Sequence, residues 1–277
     1  GKGFAPIGNE TNPFTGTFNG SGHTITGLTI DRSTNRVGMF GYTNGCEITN
    51  VGLKEVNVSG SDDTGGLVGH NEDGTITASY VTGTVSGDSF NVGGLVAYNG
   101  GKVAESNATA DVTGYGFVGG LVGSNGGSIY NSSAVGSVSG AFSVGGLAGY
   151  SNAKIADSYA AGKVTGNAYI GGVVGNYNGG TVSDSYWDVN ATGQDNSAGS
   201  ATGLTTAEMK GDAAKTNMSG FDFTATWNVV DNVTHVSYPY LQSNPQTPAP
   251  GLELVSTDRP YFAVTIADVN ASVVAGD

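Results

Sequence analysis

Two aspartates, Asp157 and Asp184, are the residues best placed for chemistry. Each lies two positions beyond an apolar residue, Ile155 or Val182, and the same position elsewhere holds Ala78, Glu105 and Asn131. Two carboxylates on successive repeats suit acid–base work on a glycosidic bond, or a cation. Polysaccharide cleavage usually adds Arg or Lys, and no cation recurs beside this column. The reading is therefore a row of solvated acids on an outer face, with no catalytic residue assigned. The three histidines, His23, His70 and His235, follow no zinc-ligand spacing, and no GxSxG elbow is present.

The stretch DVNATGQD offers oxygen ligands at Asp188, Asn190 and Thr192, then Asp195, in part of a calcium-loop spacing. The terminal bidentate Glu is missing, so a capped turn competes with calcium, the one cofactor the sequence suggests. Asn190 also opens one of nine N-x-(S/T) sequons, at Asn9, Asn19, Asn57, Asn107, Asn131, Asn190, Asn217, Asn232 and Asn270. Such sites accept N-glycans in an exported chain.

Charge narrows the partners. Ten Lys and Arg against 23 Asp and Glu give a formal charge of −13 over 277 residues. Nucleic acid and anionic membranes require basic patches, so neither is an expected partner. A single cysteine, Cys46, forbids an internal disulfide, and no apolar run is long enough to cross a membrane in this segment. Gly1 follows no visible signal peptide, and both ends fall in mid-pattern, which suggests a mature chain or part of something longer.

Glycine, with 48 residues, suggests a linker until the sequence is compared with itself. GGLVG, GGLVA, GGLVG, GGLAG and GGVVG begin at Gly65, Gly93, Gly119, Gly145 and Gly171, spaced by 28, 26, 26 and 26 residues. A diverged copy, VGMFG, starts at Val37. A fixed period in the twenties marks a solenoid, each unit burying its face only on its neighbours. Three short β-branched segments recur in every unit, carrying Leu67, Leu95, Leu121, Leu147 and Val173; Ile76, Val103, Ile129, Ile155 and Val182; Val58, Val85, Val112, Val138 and Val164. The expected fold is all-β, a three-sided parallel β-helix of about six to seven coils. Gly is expected at corners of positive φ and in a narrow bore.

The ends depart from the repeat. Residues 1–35 read as an opening turn, 36–187 as the solenoid and 188–242 as a C-terminal cap that hides the last open edge. The Thr205/Glu208 capping-box spacing predicts one short helix in that cap. A Pro-rich linker, 243–251, leads to 252–277, where Phe262, Val264 and Ile266 alternate as a single strand. That strand would begin a further domain or be donated to another subunit.

The repeats resemble the GLUG-motif family, through Gly66-Leu67-Val68-Gly69, Gly120-Leu121-Val122-Gly123 and Gly146-Leu147-Ala148-Gly149. Gly94-Leu95-Val96-Ala97 loses the last Gly, and Gly172-Val173-Val174-Gly175 replaces Leu. The resemblance implies an extracellular or cell-surface protein of bacteria or archaea, often adhesin-like, with no shared catalytic residues. The expected function is a non-enzymatic adhesive or structural rod, its partners other surface proteins, glycans or copies of itself. A filament subunit assembled by strand donation is the alternative, and a carbohydrate-active solenoid enzyme a weaker one.

Overall fold

The computed structural model describes residues 1–244, 249–251 and 253–254. Parallel strands wind into a stack of coils whose hydrogen bonds run along the axis, so every interior side chain meets its counterpart one repeat away. Four ladders result. The first contains Thr64–Gly65, Phe90–Gly93, Gly116–Gly119, Phe142–Gly145 and Ala168–Gly171; the second runs from Phe40–Thr43 through Val68–Asn71 and Val96–Asn99 to Val174–Tyr177. The third joins seven strands from Thr17–Asn19 to Thr181–Ser183. The fourth is a 12-stranded sheet that includes Gly52–Gly60, Tyr80–Gly87 and the split pairs after them.

The parallel β-solenoid expected from the period is present, with one ladder more than the three apolar segments suggested. The GGLVG segment bends at its second Gly and Leu, which divides it between the first and second ladders. Leu67, Leu95, Leu121, Leu147 and Val173 sit at that bend and are fully buried. Ile76, Val103, Ile129 and Ile155 fill the bore from the third ladder, and Val85, Val112, Val138 and Val164 from the fourth.

Of the two causes expected for the glycines, lack of space applies to the GG blocks and positive φ does not. Two columns of corners adopt left-handed backbone, and neither uses glycine. Asn50, Ala78, Glu105, Asn131, Asp157 and Asp184 form one column, with φ between 44° and 55°. Arg36, Asp63, Asn91, Phe117, Ser143 and Tyr169 form the other, with φ between 50° and 60°. The GG-block glycines have no positive φ and answer to space instead. A Cβ on Gly119 would stand 2.0 Å from the Val122 carbonyl oxygen and 2.7 Å from the Gly149 nitrogen of the next coil.

Left-handed backbone costs an L-residue about 1–2 kcal/mol, least for Asn. Ala78, whose side chain gains no local hydrogen bond, is the weakest occupant of its column. Ala78→Asn, matching Asn50 and Asn131, is expected to stabilise the chain by about 0.5–1 kcal/mol. Thermal unfolding followed by circular dichroism should show a midpoint higher by about 2 °C; a lower midpoint would deny the strain.

Polar ladders lie inside the coils. Thr43 Oγ1 donates to Asn71 Oδ1 at 2.9 Å, and Asn71, Asn99, Asn125 and Ser151 continue the chain through amide donors at 2.9, 2.9 and 3.2 Å. At another corner, backbone N–H groups of Ser79, Ser106, Ser132 and Ser158 donate to the hydroxyl one coil further on. These side chains satisfy buried backbone groups that the bends leave without ladder partners.

The C-terminal part caps less and straps more than expected. Ser197 Oγ accepts from Val173 and Val174 N–H, and Thr202–Leu204 pairs with Tyr186–Asp188, closing part of the last edge. Residues beyond lie along the outer face of the fourth sheet. There Tyr159 and Tyr186 pack with Met209, Met218, Phe221, Trp227, Tyr238 and Leu241 in a second core. Tyr159 donates to the Pro239 carbonyl at 2.6 Å, and Ser243 donates to Glu105 at 2.6 Å. The capping box forms, with Glu208 Oε2 accepting from Thr205 N at 2.8 Å, yet it closes only a turn. The helices are α1, Val189–Thr192, and α2, Gly211–Asn217, so there are two among the described residues where one was expected.

Candidate functional site

The acidic column is placed as read, at the outer corner between the third ladder and the fourth sheet. Asp157 and Asp184 occupy equivalent positions on successive coils. Burial, then the charge of Asp184, pushes the Asp157 carboxyl up, with Lys154 opposing. Gly220 of the strap packs against the Asp184 side chain. The pair therefore borders a packed element rather than a cleft.

DVNATGQD forms the capped turn. Asp188 is fully buried and caps α1, its Oδ1 accepting from Asn190 and Ala191 N–H at 2.9 and 2.8 Å and its Oδ2 from the Tyr238 hydroxyl at 2.5 Å. Asn190 Oδ1 accepts from Thr206 N–H, and Thr192 Oγ1 donates to the Asp188 carbonyl. Asp195 is exposed. The side-chain oxygens of Asp188, Asn190 and Thr192 thus already take part in protein hydrogen bonds. No group of three or more His, Cys, Asp or Glu arranged for a metal occurs among the described residues.

The sequons divide by burial. Asn9, Asn19, Asn57, Asn190 and Asn232 are exposed; Asn131 and Asn217 are half-buried. Asn107 is 1% exposed inside the fourth sheet, where a glycan has no room, so the folded chain removes it as a candidate. Asn270 and the strand carrying Phe262, Val264 and Ile266 lie outside the described residues.

The first and second ladders carry two features not anticipated. Phe90, Tyr115, Phe142 and Tyr169 are 41, 48, 41 and 66% exposed and follow one another along the axis. Phe90 meets Tyr115 edge-on at 5.7 Å, Tyr115 meets Phe142 at 5.5 Å, and Phe117 reaches Tyr150 at 5.2 Å. Size alternates beneath them: Phe90 pairs with Gly116 and Phe142 with Ala168, so each phenyl ring has a small neighbour on the next coil. A Cβ on Gly116 would stand 2.6 Å from the Phe90 ring. The signal was an aromatic two to four residues before the GG blocks that start at Gly93, Gly119, Gly145 and Gly171.

Beside this stripe, His70 stacks between Tyr42 and Tyr98, with ring centroids 4.6 and 4.4 Å away. Its Nδ1 is 2.8 Å from Asp63 Oδ2 and its Nε2 2.9 Å from Glu72 Oε2. Burial alone would lower the proton affinity of the imidazole; the hydrogen bonds to Asp63 and Glu72 outweigh it and raise the pKa above the ordinary 6.5. The bond to His70 holds Glu72 below its ordinary 4.5, with burial opposing. Asn91, on the next coil, donates to the other Asp63 oxygen at 2.8 Å.

With the coils in view, the comparisons fall into place. The family model for the GLUG motif matches residues 60–86, 88–113 and 140–165, each spanning about one coil. Three coils of the solenoid are thus GLUG repeats. Halomucin of Haloquadratum walsbyi is 37% identical to the chain over 296 aligned residues, covering 100% of it. The GLUG chain spans only 3% of the length of halomucin. A crystal structure from Bacteroides ovatus, provisionally named an immunoglobulin A1 protease, superposes with a TM-score of 0.60 over 82% of this chain and 77% of that one. At 19% identity that likeness concerns the fold alone. No helix among the described residues is long and apolar enough to cross a membrane.

Proposed function

We propose that this GLUG solenoid is a non-enzymatic rod module of a cell-surface protein, and that its aromatic stripe is an adhesive face for uncharged sugar rings. The observation that carries this is the exposed row of Phe90, Tyr115, Phe142 and Tyr169, held at coil spacing by a rigid backbone. Ordered exposed aromatics of this kind mark interaction surfaces on otherwise polar proteins. Their rings offer apolar faces and, at the tyrosines, a hydroxyl, which suits a pyranose with an apolar face and a polar rim. The row is uncharged, and the net charge of −13 disfavours acidic polymers and a second copy alike. Similarity to halomucin supports an extracellular location.

The test is a glycan array probed with the chain and with a Phe90→Ser/Phe142→Ser/Tyr169→Ser variant. Neutral oligosaccharides should be retained by the first, and affinity should fall at least about tenfold in the second, from roughly 0.5–1.5 kcal/mol per ring. Equal binding by both would overturn the assignment of the face. Shortened oligosaccharides that vanish with Asp157→Asn would overturn the non-enzymatic reading.

The first coil favours filament growth as a second reading. Thr17–Asn19 and Thr24–Thr26 pair on one side only among the described residues, leaving edges a donated strand can join. Loss of assembly after truncation at Gly251 supports that reading, and unchanged monomers exclude it.

A further inference from the structure

The His70 cluster joins three successive coils. Tyr42 and Arg36 come from the coil before, Asp63, His70 and Glu72 from its own, and Asn91 and Tyr98 from the coil after. His70 and Asp63 side chains are 14 and 12% exposed, while Glu72 is 46% exposed. Asp63 reaches the ring from a left-handed corner, φ 51°, and Glu72 from the turn that follows the His70 strand.

Carboxylates accept hydrogen bonds, and a neutral imidazole has only one N–H to give. Two carboxylates, one on each ring nitrogen at 2.8 and 2.9 Å, can both accept from the ring only when it is doubly protonated. We propose that Asp63, His70 and Glu72 form a proton-operated clamp, whose imidazolium fastens the outer face of these three coils and releases it when one proton leaves. On release, one carboxylate faces a bare ring nitrogen, and the Tyr42–His70–Tyr98 stack loses the charge at its centre. Around the stack, the Tyr42 hydroxyl donates to Glu72 Oε2 at 3.2 Å, Arg36 lies over Tyr42 at 5.3 Å and pairs with Glu10, and the charge of Asp73 acts on Tyr98. Arg36 offers Asp63 only a distant Nε, at 3.9 Å, and so does not replace the imidazolium.

The sign follows from linkage. A histidine that binds its proton more tightly when folded contributes stability below its unfolded value of 6.5, and that contribution is lost as pH rises through the higher folded value. Glu72, with its folded value depressed, contributes above 4.5 and loses its part as pH falls through the lower folded value. The clamp is closed between those limits and opens on the alkaline side.

Nitrogen-detected NMR of His70 in the full chain tests the proton count. At pH 6 both ring nitrogens should carry protons, and Glu72→Gln, which keeps the shape and removes a charge, should lower the titration midpoint. A neutral tautomer at pH 6, or a midpoint at or below the ordinary imidazole value, would overturn the clamp. Amide exchange then reads the release. Protection in Val68–Asn71 relative to Val174–Tyr177 should fall about tenfold above the His70 midpoint, the effect of one charged hydrogen bond lost. A ratio that stays flat with pH, in a chain whose His70 does titrate, would equally sink the proposal.

Discussion

Gly119→Ala should destabilise the chain more than any surface substitution, by about 3–5 kcal/mol. The methyl would stand 2.0 Å from the Val122 carbonyl oxygen and 2.7 Å from the Gly149 nitrogen. Both are backbone atoms of ordered ladders, so no rotamer change relieves the contact. Movement must separate neighbouring coils and break hydrogen bonds between the Gly116–Gly119 and Phe142–Gly145 strands. Urea unfolding should place the midpoint well below that of the parent, with the loss shared across the solenoid because each coil is held only by the next. A cost under about 1 kcal/mol would mean that the close approach is soft and that the glycine columns have another cause. Gly22, with nothing near its Cβ position, is the internal comparison for side-chain volume, although its φ of 74° adds backbone strain.

The second large effect concerns the strap. Trp227 is fully buried, stacks on Phe221 at 4.7 Å and lies 5.7 Å from Tyr159. Trp227→Ala should cost the strap about 3–5 kcal/mol. Because this core is separate from the one in the bore, the coils should survive the change. Limited proteolysis should cut within 205–242 while far-ultraviolet circular dichroism keeps its strand signature. Loss of that signature together with the strap would show that the two cores fold as one unit.

The bore was legible because its chemistry repeats literally. Leu121, Ile129 and Val138 recur as Leu, Ile or Val at nearly the same offset, and apolar burial tolerates little else. The buried Asn71–Asn99–Asn125 ladder was harder to see, since Asn beside Gly reads as exposed turn chemistry. Its burial depends on an amide one coil away, which no local pattern reports. The aromatic stripe was hidden by its alternation between two columns, so a fixed offset meets Phe90, Gly116, Phe142 and Ala168 in turn. Asp63 and Glu72 meet His70 only because of the bends on either side of its strand. The capping box at Thr205 was read correctly as local chemistry and misread as a helix start. Lys210 and Gly211, where φ is 58°, set the helix to begin a turn later.

The strap carries a consequence for how such a molecule can lengthen. A stack of near-identical coils can grow by duplicating one, since a new coil meets the same surfaces above and below. Here a single segment touches Asp188 through Tyr238, Tyr159 through Pro239 and Glu105 through Ser243. Those contacts span three repeats and measure the separation between them. A coil inserted between Glu105 and Tyr159 would move one anchor by about 4.8 Å and leave Ser243 short of its partner. Duplication ahead of Glu105 leaves these three anchors in register. The strap is therefore a ruler: it fixes the copy number on one side of Glu105 and permits variation on the other.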